Sequence, residues 1–464
     1  MAAEKQNERY IRMGSEPIPR LILNLAFPSI ISMLVSSLYN LADTYFVSSL
    51  GTSATGAVGV IMPLMGIMQA IGMTFGTGAA SNISRTLGQG DKQRANSLAT
   101  TCFFSSLTFG IALAIFGFFG ADALVRLLGA TETIYPYARA YGDVILYGAP
   151  FIVASFTLNN ILRSEGNSFQ AMVGITTGVI INIALDPLFI FVFKMGTAGA
   201  AWATIISQMI SFIILGSHFL FGRSNLSLAP KNFRFEFPLY RDVLKMGSPS
   251  LFRQSLASLS QVMMNQVAGP FGDAAIAAVS VVSRVTMLVY SAMLGLGQGY
   301  QPAAGYNYGA KNYKRFEEAF WFTAKISTAA AVVCVAFLAL FAPQIMALFR
   351  ADDAQVIALG TRIIRLQAAT LPWQAWVITT NMSFQSMGRG LPSFILALSR
   401  NGFCYIPCIL ILPRFFGIDG ITAIQAVTDI LSLLIALPLS YYLLREIKTA
   451  MQGEKNAATE LDHV

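Results

Sequence analysis

Long apolar stretches follow one another along most of the chain, separated by short polar segments. A helix of about 20 residues crosses the hydrocarbon core of a membrane, roughly 30 Å thick, and each stretch is long enough to do so. We therefore predict an all-α, polytopic membrane protein with about twelve transmembrane helices. The predicted spans lie near residues 20–49, 54–83, 95–120, 134–162, 168–193, 198–221, 240–269, 274–304, 316–342, 355–386, 391–413 and 418–444.

The second half of the chain repeats the first half at an offset of 221 residues, as Pro28-Ser29 and Pro249-Ser250 show. The same offset pairs Gly51 with Gly272, Gly76 with Gly297, Gly78 with Gly299, Gly88 with Gly309 and Arg94 with Arg315. Six spans is an even number, so both halves enter the membrane from the same side. They then form two six-helix lobes related by a pseudo-two-fold axis along the membrane normal, an arrangement typical of transporters. The predicted division is an N-terminal lobe 1–221, a cytoplasmic linker 222–238, a C-terminal lobe 239–445 and a cytoplasmic tail 446–464.

Positive charge is concentrated in alternate loops. Only 12% of the residues are charged, about half the fraction of ordinary soluble domains. The basic residues of the N-terminus, the second loop, the linker, the eighth loop and the tail all fall on one side of the predicted bundle. The positive-inside rule then makes both termini cytoplasmic and places the protein in the cytoplasmic (inner) membrane, in contact with lipid. Because the net charge of +8 resides in these loops, we predict no nucleic-acid partner.

Polar side chains recur inside the predicted spans, where a carboxylate costs at least a few kcal/mol. Span 1 carries them at steps of three and four residues, and therefore on one helix face: Ser29, Ser32, Ser36, Asn40 and Asp43. In span 5, Asn182 and Asp186 share a face at i,i+4, and Pro187 leaves the carbonyl of Ile183 without its helical donor. These oxygens suit a hard cation, and two neighbouring carboxylates would hold Na⁺ or a proton between them. The alternatives are that Asp43 caps or pairs at the outer interface and that Asp186 is a solvated residue at a proline kink.

The second half lacks these carboxylates. The offset places Met264 opposite Asp43 and Cys408 opposite Asp186. Span 7 keeps a polar face without an acid, made of Ser250, Gln254, Ser258, Gln261 and Asn265. We therefore predict ion coupling in the first half and a cavity wall in the second.

Several further charges have no assigned role. Asp429, Arg284 and Arg400 lie deep in their spans, and either a structural ion pair or a cavity role would explain each. The segment Arg163-Ser164-Glu165-Gly166-Asn167 is expected to order a cytoplasmic turn rather than to bind substrate.

The chain shows no sign of catalytic machinery. Its glycine-rich segments lie in predicted membrane helices with no preceding strand and no Gly-Lys-Ser/Thr, so close helix packing explains them better than phosphate binding. Neither a nucleotide-binding domain nor a histidine-based nucleophile pair is visible. We predict that the protein is not an enzyme and uses no cofactor other than a coupling ion. The four cysteines are expected to be buried free thiols.

Together these features resemble the multidrug and toxic compound extrusion (MATE) family of sodium- or proton-driven efflux transporters, over residues 20 to about 445. The resemblance rests on Pro28-Ser29, Tyr39-Asn40-Leu41-Ala42-Asp43, Pro150, Arg163-Ser164-Glu165-Gly166 and Asn182 with Asp186-Pro187. It implies that Asp43, Asn182, Asp186 and Thr204 form a cation site for Na⁺ or H⁺ in the N-terminal lobe, with Asn159 or Asn160 nearby. Some branches of the family carry acidic residues in spans 7 and 10. This chain does not, and is more similar to the branch coupled through the N-terminal lobe.

The expected function is cation-coupled antiport that exports lipophilic organic cations and drugs by alternating access, in a bacterial, monomeric protein. Aromatic and methionine side chains suit such ligands. The predicted cavity residues are Ser32, Met33, Ser36, Asn40, Met65, Met68, Phe151, Gln254 and Gln261. One alternative is a flippase for lipid-linked or polysaccharide substrates from the same superfamily, which would have a more cationic cavity. The other is a membrane assembly protein that transports nothing.

Overall fold

Helices account for nearly the whole of the described chain. The computed structural model describes residues 12–349 and 353–462, and for residues 40–45, 48, 52, 273 and 454–462 it describes the backbone alone. The first half contains α1 (Ile18–Ser48), α2 (Thr52–Gly88), α3 (Lys92–Leu127), α4 (Tyr135–Tyr147 and Ala149–Ser164), α5 (Ser168–Pro187, then Leu188–Val192) and α6 (Gly196–Leu220). A short 3₁₀ turn, Pro230–Asn232, interrupts the linker.

The second half repeats this order. Its helices are α7 (Phe237–Ala268, then the 3₁₀ turn Gly269–Phe271), α8 (Asp273–Gly309), α9 (Tyr313–Phe349) and α10 (Ala354–Met387). They are followed by Gly390–Leu398, Ser399–Phe403 and the long segment Tyr405–Asp462. Gly417 breaks that segment, because its φ of 56° is left-handed and favours glycine. We name the part from Gly390 to this break α11 and the part beyond it α12.

Proline and glycine account for the irregular points. The two pieces of α4 meet at Gly148, with Pro150 in the first turn of the second piece, and are bent by 51°. In α5 the helix changes to π-helical hydrogen bonding directly after Pro187. Proline cannot donate a hydrogen bond to the carbonyl four residues back, and the wider π turn accommodates this break in the helical hydrogen bonding. A second π-helical turn, Ser399–Phe403, lies in α11.

The helices confirm the predicted membrane architecture. Within the described residues, eight helical segments are long and apolar enough to cross a membrane, and the bent α4 pair makes a ninth. One of those segments, Gly390–Gly453, holds both α11 and α12. Helices α7 and α10 are as long as their neighbours but more polar. The first contains Arg241, Asp242, Lys245 and Arg253, and the second contains Arg362 and Arg365. The twelve-helix fold follows.

Each lobe has its own core, and α1 connects the two lobes. The N-terminal core holds Ile61, Met68 and Tyr141, and the C-terminal core holds Tyr300 and Phe316 among others. Helix α1 contributes Ile18 and Ile22 to the core of the opposite lobe. The repeat does the same in reverse, since Val243 of α7 lies in a cluster with α2 and α3 residues. The first helix of each lobe therefore crosses to its partner lobe.

The lobes pack closely at the end of the bundle that carries the linker, which we call the linker face. A Cβ added to Gly78 would overlap Val243 of α7, and one added to Gly299 would overlap Ala26 of α1. At the ends of α2 and α8, Gly88 lies against Tyr306 and Gly309 lies against Arg85. Because the same offset relates these glycines, both copies of the contact seal the linker face. Side-chain bonds such as Ser81 Oγ to the Gln385 carbonyl reinforce the seal.

Candidate functional site

A cavity of about 400 Å³ lies between the lobes, above the sealed linker face. Both lobes contribute to its wall. The N-terminal lobe supplies Ser32, Met33, Ser36, Ser37, Tyr39, Gln69, Met73, Ser155, Phe156, Asn159, Asn160, Arg163, Ile175, Gly178, Val179, Asn182, Thr204, Ser207, Gln208 and Ser211. The C-terminal lobe supplies Arg253, Gln254, Ala257, Met287, Tyr290, Ser291, Leu294, Gln298 and Asn401.

A buried carboxylate lies directly behind this wall. Asp186 is fully buried in α5, next to Asn182 one turn earlier. With the Asn182 amide oriented to suit its neighbours, Nδ2 donates to Asp186 Oδ2 at 3.1 Å. The amide oxygen then accepts from the backbone N–H of Thr204 in α6, also at 3.1 Å. The hydroxyls of Tyr39 and Thr204 are 3.4 Å apart, which brings α1 into the group.

These residues fit a small hard cation. Carboxylate and hydroxyl oxygens converge from three helices, and such oxygens suit Na⁺ or exchange a proton. Asn182 and Thr204 also line the cavity, so the group and the cavity share a wall. The structure thus places Asn182, Asp186 and Thr204 together, as the family resemblance implies, and adds Tyr39. Spacing could have indicated Tyr39, because it lies three residues after Ser36 on the polar face of α1.

The other predicted cation ligands are placed differently. Asp43 lies in α1, but its side chain and that of Asn40 are outside the described residues. Asn160 lines the cavity at another level. Its Nδ2 donates to the Phe156 carbonyl at 2.8 Å and its Oδ1 accepts from Arg163 Nη2 at 2.8 Å. Asn159 donates to the Ala171 carbonyl at 2.9 Å.

Of the predicted cavity residues with described side chains, Ser32, Met33, Ser36 and Gln254 line the cavity. Met68 does not, because its face of α2 turns into the N-terminal core and leaves it fully buried.

Three other predicted residues are also absent from the described cavity wall. Met65 accepts from the Tyr141 hydroxyl at 3.6 Å on the same side of α2. Phe151 packs edge-on against Phe212, with ring centroids 5.6 Å apart. Gln261 is exposed and donates to Asn265 at 3.2 Å. These predictions were wrong because helical spacing gives the face of a residue without saying which neighbour that face meets.

Two arginines were missed as cavity residues. The Arg163 carbonyl accepts from the Gly166 N–H at 2.9 Å in the predicted turn, but its guanidinium donates to Gln298 Oε1 in the C-terminal lobe and to Asn160. Arg253 of α7 lines the same cavity. They are the charged residues of the described lining, which is therefore cationic, the property expected of the flippase alternative. The position of Arg163, one turn after Asn160 in a membrane helix, was an available signal.

The deep charges of the C-terminal lobe form a structural group. Asp429 is buried and accepts from Thr370 at 2.8 Å, Gln374 at 2.7 Å and Gln425 at 2.9 Å. Arg400 adds an ion pair at 3.4 Å. Its guanidinium also lies 4.1 Å above the ring of Tyr290, a cavity residue. Saturation by four donors favours the ion-pair interpretation.

Arg284 lies within α8, as predicted, but its side chain is exposed.

A second buried carboxylate attaches the linker to the N-terminal lobe. Glu165 follows α4 and accepts from Ser224 Oγ at 2.9 Å and from the Asn225 N–H at 2.8 Å. Burial raises the pKa of Glu165 from 4.5 to about 7, although these hydrogen bonds oppose the rise. The arrangement fixes the start of the linker against the end of α4.

Comparisons with known proteins agree with this architecture. The MatE family model matches residues 28–188 and again 249–411, once for each half. The multidrug export protein MepA of Staphylococcus saprophyticus is 24% identical over 434 residues, 93% of this chain and 95% of that protein.

Two solved structures superpose on nearly the whole chain. One is an outward-facing multidrug resistance MATE family transporter of the MOP superfamily, with a TM-score of 0.88 and 28% identity. The other is a MOP superfamily transporter from Pyrococcus furiosus, described as having a binding pocket of reverse polarity, with a TM-score of 0.87 and 29% identity. Each match covers 95% of this chain and 98% of the other. With two family matches that span both lobes, the chain belongs to the MatE family of membrane transporters, as its motifs predicted.

Proposed function

We propose that the protein exports drug-like lipophilic molecules, organic cations among them, in exchange for Na⁺ or H⁺. The observation that carries the proposal is the wall shared by the cavity and the Asp186 group. Asn182 donates to the buried carboxylate and accepts from the Thr204 N–H, and both Asn182 and Thr204 line the cavity. A cation that binds Asp186 therefore changes the surface that the substrate meets.

The route from ion binding to movement runs through α1. This helix carries Tyr39 at the cation group and Ile18 and Ile22 in the core of the other lobe. An ion can shift the equilibrium between two states only if it binds them with different affinity. Because α1 is anchored to both lobes, ligands drawn from α1, α5 and α6 will be arranged differently in each state. Asp43, also on α1, is the second predicted carboxylate of this site.

The cavity wall suits flat, lipophilic molecules. Tyr39 and Tyr290 offer aromatic faces from opposite lobes, and Met33, Met73 and Met287 offer adaptable thioethers. The naming of MepA as a multidrug export protein, and of one structural neighbour as a multidrug resistance transporter, supports the same substrate range.

The test is efflux of a fluorescent organic cation from proteoliposomes, driven separately by a Na⁺ gradient and by a proton gradient. Asp186→Asn should abolish the response to the coupling gradient while the protein still binds the dye. Asp91→Asn is the matched control, because Asp91 is an exposed helix cap whose acceptor role asparagine retains. If neither gradient drives efflux by the wild type, or if Asp186→Asn matches it, ion coupling at this site is wrong.

A flippase for lipid-linked substrates is the second candidate, and the cationic cavity lining favours it. The two arginines would suit a phosphate-bearing headgroup. Proteoliposomes with a fluorescent anionic lipid in the inner leaflet provide the test. Protein-dependent exposure of that lipid to an external quencher supports flipping, and exposure no faster than in empty liposomes excludes it.

A further inference from the structure

We infer that the cavity has an anion-binding subsite at the end nearest the linker face, centred on Arg163 and oriented by Gln298 and Asn160. The ligand class is an amphiphile that carries a carboxylate, sulfonate or phosphate group. The inference rests on the proposed export function and adds to it a charge preference that the coupling site does not supply.

Within the described residues, Arg163 has no carboxylate partner. Its guanidinium is about nine-tenths buried, and the side chains it contacts, Gln298 and Asn160, are neutral amides. Across the described part of the chain, no ion pair includes Arg163. The nearby carboxylate of Glu165 instead accepts from Ser224 and Asn225 in the linker.

Other arginines of the same bundle show the usual arrangement. Arg400 pairs with Asp429, and Arg139 pairs with Asp122 and Asp143. An arginine inside a membrane protein usually pairs or faces a water-filled cavity, because an isolated charge there is costly. Arg163 follows the second course, since it lines the central cavity.

The described wall around Arg163 is positively charged. Arg253 approaches the cavity from the other lobe, and the described lining holds no carboxylate. The backbone of Asp43 lies toward the opposite end of α1, 25 residues or about 38 Å after the helix start at the linker face. Arg163 lies in the last turn of α4, beside that face. An anionic group inside the cavity would meet one positive charge from each lobe.

The geometry also explains why the subsite would depend on conformation. The two amides hold the guanidinium through two of its donors, and its five N–H groups leave others for a bidentate anion. Gln298 belongs to α8, so its bond to Arg163 crosses between the lobes at the top of the sealed region. When the lobes separate at the linker face, this bond breaks and the subsite loses one of its supports. Anion affinity should therefore differ between the two transport states.

The test is equilibrium binding to the purified full-length protein, with no gradient present. The probes are a rhodamine with a free carboxylate and the methyl ester of the same dye, which share one cationic ring system and differ only in the anion. Fluorescence polarisation in phosphatidylcholine nanodiscs should show that the wild type prefers the free acid. Arg163→Gln should reduce the preference about tenfold or more, the effect expected for one charge-assisted hydrogen bond.

Two further variants keep the test decisive. Gln298→Glu retains the size of the side chain but places a carboxylate against Arg163, so it should remove the preference even if Arg163→Gln folds poorly. Arg94→Gln is the matched control, because Arg94 is an exposed linker-face arginine outside the central cavity. It should leave the preference unchanged. If the wild type binds both dyes equally, or if Arg163→Gln and Gln298→Glu both keep the preference, the inference is wrong.

A second arm identifies the source of the anion. Phosphatidylglycerol added to the nanodiscs will compete with the free acid if a lipid phosphate occupies the subsite, and this competition should disappear in Arg163→Gln. Absence of competition with the preference intact assigns the subsite to soluble amphiphiles. Dye binding is measured without a gradient, so the binding result can hold even if the test of ion-coupled efflux fails.

Discussion

We expect one methyl group, added at Gly88, to open the sealed linker face. In Gly88→Ala the new Cβ overlaps the Tyr306 carbonyl oxygen of α8. It also lies 2.8 Å from the backbone nitrogen of Ala310, the residue directly after α8. Helix backbone cannot move aside as the end of a flexible side chain can. To reach an ordinary contact of 3.4 Å at Ala310 alone, α2 and α8 must separate by about 0.6 Å, and the carbonyl oxygen requires more.

The cost falls on one state only. Overpacking of this kind destabilises a structure by about 1–3 kcal/mol. In a state open toward the linker face, α2 and α8 are apart and the methyl group meets nothing. The population ratio should therefore shift about 5- to 150-fold toward that open state.

Electron–electron double resonance between two spin labels measures the shift. Gln93 on α3 and Lys314 on α9 are exposed at the linker face and related by the sequence repeat, so cysteines there report the separation of the lobes. Gly88→Ala should add a population at longer distance. Gly66→Ala in the same helix is the control, because no atom lies within 4 Å of its added Cβ. If Gly88→Ala gives the same distance distribution as Gly66→Ala, close approach of the glycines does not set the closed state.

Three other substitutions test separate features. Asp429→Ala should lower the free energy of unfolding by about 3 kcal/mol, measured by denaturation in detergent, because it leaves the largely buried Arg400 unpaired. Tyr39→Phe and Thr204→Val should each weaken binding of the coupling ion, by titration calorimetry, because each removes one of the two hydroxyls that lie 3.4 Å apart at the cation group. Glu165→Gln should flatten the pH dependence of thermal stability. The raised pKa of Glu165 gives a stabilisation that is complete below about pH 4.5 and lost as the pH rises through 7, at most about 3 kcal/mol.

Each of these has a contrary outcome. Asp429→Ala at wild-type stability would show that Arg400 is adequately solvated in its absence. Equal ion affinity in Tyr39→Phe, Thr204→Val and the wild type would place the cation elsewhere. A wild-type melting temperature that rises between pH 5 and pH 8, relative to Glu165→Gln, would reverse the sign assigned to Glu165.

Much of the candidate site could be predicted because it depends on short-range spacing. Asn182 and Asp186 are one turn apart, so any helix places them together. Ser32 and Ser36 follow the same rule on α1, and both line the cavity. A carboxylate in an apolar span is itself a signal, since the membrane penalises it unless it has a partner or a cavity.

The residues predicted wrongly depend on long-range packing. Met68 lies on a helix face that meets the N-terminal core, whereas Met33 faces the cavity. Apolar residues in a membrane bundle can face lipid, core or cavity at similar cost, so hydrophobicity does not distinguish among them. Arg163 was assigned to a loop by its position in the sequence, yet its long side chain reaches the opposite lobe.

The sequence by itself determined the twelve spans, the repeat and the sharing of a helix face by Asn182 and Asp186, because each follows from apolar length, fixed offset or helical period. Only the tertiary structure decided what the repeat places in contact. In the folded protein α1 and α7 cross into opposite lobes, Gly88 and Gly309 lie against the partner helices, and Arg163 faces the cavity. These contacts join residues far apart in the chain, so they depend on how whole helices dock, and local spacing does not specify that.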